Sequence, residues 1–556
     1  MNDRFSVSLG QGIEGPVSLS KEARDVHTHV IGLSRQGKSY FLEHLIRQDI
    51  EQGAGVCVID PHGELYGHMV AWCAANDMHR RRRIHLINPA AGKWSVGFNP
   101  LAHDDAFVDA RVGAMIEACQ KVWEDTESTG HKTLAKLLKM VFTTLAYHQL
   151  SVQEAALLTS LQYVDTRKRL VEATGDQALI DSWGELDGLK TQDFVQRFEA
   201  VNNRLFDLTR NPGVSSMMAQ TEDVIDFKTC MDRGDIILVN LAHRGRIPPS
   251  VSQTVGALIT ADLFHSAQCR DIEKAKQRPF YCYIDECGDY LNETIVKGLD
   301  QTAKFGLHYV LSHQRLSQLG ARRDDPIRNG VMGGAQSKIV FLQDDADTTS
   351  EVGDLLFGKD YDLERPKEVL IKPTVIGYSR EWLEAEGAAV GTFSGSSSGF
   401  MSGEGLGLSL AQVQGAAAVD FSSESSGQSE SYSSGNSSIR SNSRHEALIP
   451  ILEDMPGGVY SLDEEKHKGM IQIRLLKKRQ AFAYRADDRK AHQFVTADLL
   501  PAAPTFEQLD DFYAVIEARE KSAKPVAEVE LAAAKRREQL LIGRKDKDLG
   551  TDDFFG

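Results

Sequence analysis

Residues 32–39 read GLSRQGKS, and this stretch decides the fold class of the chain. Its spacing, Gly-x4-Gly-Lys-Ser, is typical of a loop whose backbone N–H groups surround phosphate oxygens. The β-prone run HVI (29–31) precedes the loop, and apolar residues follow it at helical spacing from Phe41 to Ile50. The buried-strand pattern VCVID (56–60) comes next. Strand, loop, helix and strand in this order predict an α/β fold with a nucleotide site at the loop.

The chemistry of a phosphate site assigns a role to each part of this loop. Glycines let the backbone wrap around the phosphates, and the following helix directs the positive end of its dipole toward them. Lys38 would reach the β- and γ-phosphates of ATP, and the Ser39 hydroxyl would hold Mg²⁺. An ordinary glycine-containing turn between strand and helix is the alternative. The predicted nucleotide-binding residues are Gly32, Ser34, Arg35, Gln36, Gly37, Lys38, Ser39 and Tyr40.

Two later strand patterns end in polar residues that suit catalysis. FYCYIDECGDYL (280–291) is an apolar run that ends in Asp285 and Glu286. We predict that Asp285 binds the metal ion and that Glu286 polarises the attacking water, although a solvated acidic turn has the same pattern. GLHYVLSHQ (306–314) follows and ends in Gln314. Since parallel strands bring their carboxyl ends to one edge, Gln314 would sense the γ-phosphate or the water there, or merely cap its strand.

Composition and charge restrict the class of protein. At 556 residues the chain is long enough for two or more domains. Its net charge of -16 argues against a uniformly basic nucleic-acid-binding surface, though not against a local basic channel.

The seven cysteines include no CxxC pair, which indicates reduced thiols in the cytoplasm rather than a disulfide framework or a zinc site. We expect no intrinsic membrane span because no apolar run approaches the roughly 18–20 residues required. DPHG (60–63) imitates a GTPase switch, but the guanine motif Asn-Lys-x-Asp does not occur.

The remaining patterns indicate one motor with additions. A helical pattern over 105–225 carries an apolar stripe made by Leu134, Leu137, Leu138, Val141 and Leu145. Ser/Gly tracts predict a flexible segment, after which GVYSLDEEK (458–466) and AFAYRA (481–486) are candidate strands or edge segments. RRRR (80–83) is interpreted as a solvated helix end rather than a nucleic-acid site. The predicted divisions are the first part of an ATPase core (1–104), an inserted helical domain (105–225), the second part of the core (226–390), a flexible segment (391–445), a return to the core (446–500) and a charged helix with a tail (501–556).

Several motifs together resemble a known family. The chain is similar to the FtsK/HerA group of ring ATPases and, within that group, most similar to TraD/TraG-type conjugative coupling proteins. The resemblance extends from about residue 10 to about residue 490. Its motifs are IDPHGEL (59–65), NNRLFDLTRNPGV (202–214), DIILVNL (235–241), YIDECGDYL (283–291) and LSHQRLSQL (311–319).

The resemblance implies a RecA-like P-loop NTPase core that assembles into a homo-hexameric ring, with ATP between subunits and DNA in the central pore. The inserted helical domain would face the incoming DNA. An arginine is also expected to reach the neighbouring subunit's site; ARRDDPIRNG (321–330) offers Arg322 and Arg323 besides Arg328, which we take as the predicted residue. The positions that match the family motifs are Gly32, Gly37, Lys38, Ser39, Asp285, Glu286 and Gln314.

Three functions follow from this resemblance. The first is a DNA translocase that moves DNA, or a relaxase–DNA complex, toward a type IV secretion channel. The second is a HerA-like motor that works with a nuclease or effector in repair or phage defence, and the third is an ATP-gated ring that recruits proteins. Coupling proteins usually begin with membrane-spanning helices and HerA proteins with a small β-barrel, and neither pattern precedes residue 32. We therefore expect a cytoplasmic protein that would reach a membrane only through a partner.

Overall fold

A computed structural model describes residues 4–90, 92, 94–102, 108–123, 130–242, 246–361, 371–393, 435–456 and 460–542. The chain divides into two compact units. The main unit comprises residues 1–361 and 462–556, and the hairpin unit comprises residues 362–461. The nucleotide loop and both later strand motifs belong to the main unit.

The described residues contain strands of both the main unit and the hairpin unit. In chain order they are β1 (Val7–Gly12), β2 (Pro16–Leu19), β3 (Thr28–Ile31), β4 (Gly55–Asp60), β5 (Ile84–Ile87), β6 (Trp94–Val96), β7 (Ile236–Asn240), β8 (Phe280–Ile284), β9 (Leu307–His313), β10 (Ser337–Phe341), β11 (Ile371–Phe393), β12 (Gly435–Pro456), β13 (Gln480–Tyr484), β14 (Ala491–Thr496) and β15 (Ala523–Pro525).

A large mixed sheet organises the main unit. Its strand order is β2-β1-β14-β13-β10-β3-β9-β8-β4-β7-β5. The strands from β10 to β5 in this order are parallel, whereas β13, β14, β1 and β2 extend the β10 edge in antiparallel fashion. Because β9 lies between β3 and β8, the carboxyl ends of the strands that carry the three predicted motifs are adjacent. The α/β class expected from the sequence is confirmed.

Helices cover the sheet and also form a helical block. They are α1 (Lys21–Asp25), α2 (Lys38–Gln52), α3 (Glu64–Ala75), α4 (Met78–Arg81), α5 (Val108–Val122), α6 (Gly130–Tyr147), α7 (Ala155–Thr159), α8 (Val164–Ala173), α9 (Gln177–Asp187), α10 (Thr191–Arg210), α11 (Pro212–Met218), α12 (Phe227–Arg233), α13 (Pro249–Gln268), α14 (Ile272–Gln277), α15 (Glu293–Lys297), α16 (Leu299–Lys304), α17 (Pro326–Gly334), α18 (Ala346–Phe357), α19 (Leu462–Arg474), α20 (Phe506–Arg519) and α21 (Val526–Ile542).

The central strands are apolar along their whole length because helices cover both faces of the sheet. Every residue of β3, β4, β7, β8 and β9 is buried. Along β4, Val56 and Val58 join the cluster that includes α2 and α3, while Cys57 and Ile59 join the cluster that includes α5 and α13. This is the arrangement expected of parallel strands buried on both faces.

The helical block contains α6 to α11. The predicted stripe of α6 is buried, and α10 buries Phe194, Phe198, Val201, Leu205 and Leu208 at helical spacing. Helix α5 packs beside α13, which follows β7. The helical block and the sheet therefore share one continuous apolar core.

The C-terminal segment packs back onto the main unit. Helix α20 lies against α3 and α4, strand β15 pairs with β6, and α21 packs on α11. Arg536 of α21 donates a hydrogen bond to the buried Glu154 carboxylate at 2.9 Å. The segment thus contacts both the sheet layer and the helical block; residues after 542, including the predicted tail, lie outside the described residues.

The structure differs from the predicted divisions after residue 360. Strand β11 includes residues that we had placed in the second part of the core, and β12 begins before the predicted return to the core. These two strands pair with each other from Ile371 to Pro456 and not with the large sheet. The chain returns to the main unit at α19, so residues 462–466 are helical and not the expected strand or edge segment, whereas residues 481–484 of AFAYRA lie in β13 as expected. Residues 394–434 of the Ser/Gly segment lie outside the described residues.

Other sequence expectations have simple outcomes. All seven cysteines are described, and no disulfide joins any two of them. Among the described residues, no helix combines the length and apolar character that a membrane crossing requires. The run RRRR ends α4 as expected, but Arg82 is half-buried and donates hydrogen bonds to the carbonyl oxygens of Ile50 and Ala54.

Candidate active site

The loop of residues 32–37 connects β3 to the first turn of α2. A Cβ atom at Gly32 would lie 2.5 Å from the Cβ of Phe341, so only glycine fits beside β10. Gly37 has φ 105°, in the left-handed region that favours glycine, and the exposed Arg35 has φ 63°. No described side chain caps the first turn of α2. Its N–H groups are therefore available to an anion, as a phosphate site requires.

Lys38 places an ammonium group inside this loop. The side chain is buried, and its Nζ atom has no hydrogen-bond partner among the described residues. The nearest carboxylate oxygen, Glu286 Oε1, lies 3.7 Å away. Burial is the largest effect and lowers the pKa of Lys38, while Glu286 and Asp285 act to raise it. A buried cation without hydrogen bonds fits a group that awaits the phosphates of a nucleotide.

Asp285 lies at the carboxyl end of β8 and has the character of a metal ligand. Its Oδ1 atom accepts hydrogen bonds from the Ser312 hydroxyl at 2.9 Å and from the backbone N–H of Glu286 at 3.2 Å. Burial is the largest cause that raises the pKa of Asp285. A divalent cation would stabilise the ionised carboxylate, and Ser39, in the first turn of α2, offers the hydroxyl that Mg²⁺ sites of this type use. The donor set fits Mg²⁺.

Glu286 is held between two glutamines. Its backbone has φ 47°, an uncommon value for a residue with a side chain. Oε1 accepts a hydrogen bond from Gln314 Nε2 at 2.8 Å, and Oε2 accepts one from Gln318 Nε2 at 2.9 Å. Gln314 Oε1 in turn accepts from the Ser34 hydroxyl at 2.8 Å. The structure thus brings Lys38, Glu286 and Gln314 together, and Ser34 connects them to the loop.

Arg328, the arginine predicted to reach a neighbouring subunit, lies at the start of α17. Its side chain is fully buried, and its guanidinium group donates to Asp347 at 2.6 Å and to Glu351 at 2.5 Å. These contacts hold the Nη2 atom within its own subunit, and the role of Arg328 at a neighbouring site stays a prediction. Arg322 and Arg323 remain, with side chains 81% and 57% exposed.

A buried histidine pair lies beside the loop. His29 of β3 and His313 of β9 share a hydrogen bond between their Nε2 atoms. Burial is the largest cause that lowers the pKa of His313, to about 3, and the charge of Lys38 adds to it. Burial likewise lowers the pKa of His29. The pair therefore stays neutral at ordinary pH and adds no second positive charge next to Lys38.

Arg479, which was not among the predicted site residues, also contacts the loop. Its backbone N–H donates to the carbonyl oxygen of Gln36 at 2.9 Å, and its guanidinium carbon lies 4.9 Å from the centre of the Tyr40 ring. The same guanidinium donates to Asp498 at 2.6 Å. The basic run KKRQ (477–480) was the sole local signal, and it does not reveal a partner more than 400 residues away.

Two other polar residues near the site have different roles. Asp60, the first residue of the DPHG motif, accepts hydrogen bonds from the backbone N–H groups of His62 and Tyr66, both at 2.8 Å. It therefore supports the start of α3, which agrees with setting the GTPase interpretation aside. Gln318 contacts Glu286 directly and was missed, although it stands inside the quoted motif LSHQRLSQL, one helical turn after Gln314.

Comparison with known proteins shows one family model and several solved structures to which the chain is similar. Residues 9–243 match the sequence model of the family described as the central domain of the helicase HerA. The fold is similar to the bacterial conjugative coupling protein TrwB in its unbound form, with a TM-score of 0.52, 13% identity and coverage of 89% of this chain and 90% of that chain. No curated protein sequence matches the chain significantly.

TrwB structures with nucleotides are similar as well. The complex with the non-hydrolysable GTP analogue GDPNP has a TM-score of 0.52 and 13% identity, and the similarity covers 88% of this chain and 89% of that chain. The complex with ADP and Mg²⁺ has a TM-score of 0.50 and 12% identity over 89% and 90% of the two chains. The chain has the RecA-like P-loop NTPase fold expected from the sequence, and the match of residues 9–243 to the HerA central domain agrees with the HerA part of the resemblance drawn from the motifs.

Proposed function

We propose that the protein is an ATPase that moves DNA, or a relaxase–DNA complex, toward a type IV secretion channel. The carrying observation is the buried Lys38 ammonium, which has no described hydrogen-bond partner and faces Glu286 at 3.7 Å inside a loop of phosphate-binding geometry. The similarity to TrwB over most of both chains supports the choice of coupling protein. The nucleotides in the TrwB complexes support ATP and Mg²⁺ as ligands.

Each part of the site has a separate role in the proposed hydrolysis. Backbone N–H groups of the loop and of α2 bind the phosphates of ATP, and Lys38 turns from Glu286 toward them. Glu286 accepts a proton from the attacking water, which Gln314 helps to orient. Ser39 and Asp285 would hold Mg²⁺, which would partly neutralise the phosphate charge.

Assembly into a homo-hexameric ring with DNA in its pore completes the proposal. The exposed Arg322 and Arg323 are the candidates for the residue that enters a neighbouring site. With a net charge of -16, the protein would bind DNA through a local basic channel and not over its whole surface. Relaxase and secretion-channel proteins are the implied partners.

A HerA-like motor that serves a nuclease is the second candidate. The match of residues 9–243 to the HerA central domain favours it specifically. The two candidates share the chemistry of the site and differ in partners. Relaxase and channel genes beside the coding gene would favour transfer, and a nuclease gene would favour repair or defence.

The substitution Glu286→Gln tests the proposed hydrolysis. We expect turnover to fall by about 100-fold or more while ATP and Mg²⁺ still bind, because an amide of similar shape cannot accept the proton of water. Lys38→Ala should instead weaken ATP binding. Steady-state ATPase assays and titration with a fluorescent ATP analogue separate these effects. Asp289→Asn, which removes an exposed carboxylate three residues further along, is the matched control.

DNA is the second variable in the same assay. Wild-type turnover should rise with added DNA, and the rise should diminish with salt because contacts to phosphates release counterions. A Glu286→Gln protein with normal turnover would contradict the catalytic assignment. If neither single- nor double-stranded DNA changes the rate of ATP hydrolysis, the result would favour the ring that recruits proteins under ATP control.

A further inference from the structure

The side chain of Gln318 bridges two strand ends of the site. Its Oε1 atom accepts hydrogen bonds from the backbone N–H groups of Gln314 at 2.7 Å and Arg315 at 3.0 Å. Its Nε2 atom donates to Glu286 Oε2 at 2.9 Å. Since two N–H donors require the oxygen at their end, the amide orientation is determined by the network, and the NH₂ group must face Glu286.

The surrounding backbone holds this bridge in place. After Glu286 the chain forms a short 3-10 turn over Cys287–Asp289, and Gln318 ends a second such turn over Leu316–Gln318. A Cβ atom at Gly288 would lie 2.5 Å from the carbonyl oxygen of Gln318, so the two turns are in direct contact. The backbone at Gln314, which the bridge holds at its other end, is also fixed, because Gln343 donates a hydrogen bond to the Gln314 carbonyl oxygen at 2.8 Å.

The bridge leaves one oxygen of Glu286 directed at the loop. Oε2 is taken by Gln318, whereas Oε1 faces Lys38 and accepts a hydrogen bond from Gln314. A neutral amide donor holds a carboxylate without cancelling its negative charge, which a lysine or arginine at the same place would do. Gln318 is itself exposed and makes no contribution to the apolar core.

We propose that Gln318 is a positioning residue for ATP hydrolysis, which sets the Glu286 carboxylate so that Oε1 points toward the attacking water. The inference rests on the proposed function and assigns a role to a residue that the motif comparison leaves without one. Without the bridge, Glu286 would sample other rotamers, and a base displaced by about 1 Å can lose about 100-fold in rate. We expect ATP binding to be independent of Gln318, because its hydrogen bonds within the described residues go to Gln314, Arg315 and Glu286 and not to the phosphate loop.

Two substitutions at this position separate hydrogen bonding from shape. Gln318→Ala removes the bridge, and Gln318→Glu keeps its size and its acceptor for the backbone N–H groups but cannot donate to Glu286 when ionised. We expect both variants to lower kcat by about 10- to 100-fold while KM for ATP and the Kd of a fluorescent ATP analogue stay within about 2-fold of the wild type. Gln301→Ala, at an exposed glutamine of α16, is the matched control and should keep wild-type kinetics.

A double variant shows whether the two residues act together. Gln318→Ala in the Glu286→Gln background should cause no further loss, because the bridge acts through the carboxylate that is already gone. If Gln318→Ala lowers kcat in the Glu286→Gln background by the same factor as in the wild type, the inference is overturned. It is also overturned if Gln318→Glu has a normal kcat, or if either single variant raises KM for ATP and leaves kcat unchanged. If the wild-type protein does not hydrolyse ATP, both the proposed function and this inference are overturned. If the wild-type protein hydrolyses ATP and the Gln318→Ala variant is equally active, only the inference is overturned.

Discussion

Arg24 is a buried charge of the main unit that lies outside the active site. Its guanidinium donates to both carboxylate oxygens of Asp49, each at 2.7 Å, and lies 3.6 Å from the centre of the Tyr281 ring. Both side chains of the pair are at most 2% exposed. The pair ties α1 to the C-terminal half of α2, the helix that begins at the phosphate loop.

Removal of one partner should be costly at this place. We expect Asp49→Ala to lower the free energy of unfolding by about 3–5 kcal/mol, because the guanidinium of Arg24 would stay buried without its counter-charge. Urea unfolding followed by circular dichroism measures the change. Glu51→Ala, on the exposed face of the same helix, should change stability by less than about 0.5 kcal/mol. Equal effects of the two substitutions would contradict this interpretation of the pair.

At the scale of elements, the end of α20 is attached to the sheet through His85 of β5. His85 Nε2 lies 3.0 Å from Asp235 Oδ2, and Nδ1 contacts Glu520, just beyond α20. Burial acts to lower the pKa of His85, but the Cys230 thiol and the hydrogen bonds with Asp235 and Glu520 raise it well above its ordinary value. Burial acts to raise the pKa of Glu520, and His85 lowers it below the ordinary value. The imidazolium therefore joins two carboxylates.

Glu520→Gln should loosen the C-terminal segment. The contribution of His85 is complete below its unfolded pKa of about 6.5 and is lost as pH rises through its raised folded pKa; that of Glu520 is present above about pH 4.5 and is lost as pH falls through its lowered folded pKa. At pH 7 we expect a loss of about 1.5–3 kcal/mol. Limited proteolysis should cleave the variant faster between α20 and α21, and the difference from the wild type should shrink at strongly acidic pH. Equal cleavage rates at pH 7 would contradict the attachment.

At the scale of the whole molecule, the hairpin unit is an insertion between two packed helices of the main unit. Helix α18 precedes it and α19 follows it, and these helices pack against each other. Lys466 pairs with Asp354 at 3.1 Å, and the Phe357 ring lies 3.0 Å from a Cβ placed at Gly469. The two ends of the insertion are thus close together within the main unit.

Replacement of residues 362–461 by a link of about ten Gly and Ser residues should therefore leave the main unit folded, since closing a short loop between neighbouring ends costs little. We expect a soluble protein whose thermal midpoint lies within a few degrees of the wild type, measured by differential scanning fluorimetry, and whose basal ATP turnover is retained. Aggregation of the shortened chain, or loss of its cooperative transition, would show that the main unit depends on the hairpin unit.

Local patterns in the sequence determined the frame of the site. The glycines of the loop, the helical spacing after it and the apolar runs of β4, β8 and β9 are each decided by neighbouring residues, because backbone conformation and burial pattern are local properties. These signals located Lys38, Asp285, Glu286 and Gln314, and the structure brings these residues to one edge of the sheet.

Tertiary structure alone decided which other residues join them. Gln318 and Arg479 reach the site through contacts between distant segments, and the buried Arg328 of α17 finds its hydrogen-bond acceptors, Asp347 and Glu351, on α18. Helix α19 has a polar N-terminal sequence, and its position in the fold is likewise determined by packing on α18. A sequence pattern specifies a segment's own conformation, whereas the partner of an exposed amide or a buried arginine depends on which segments the whole fold brings within hydrogen-bond distance.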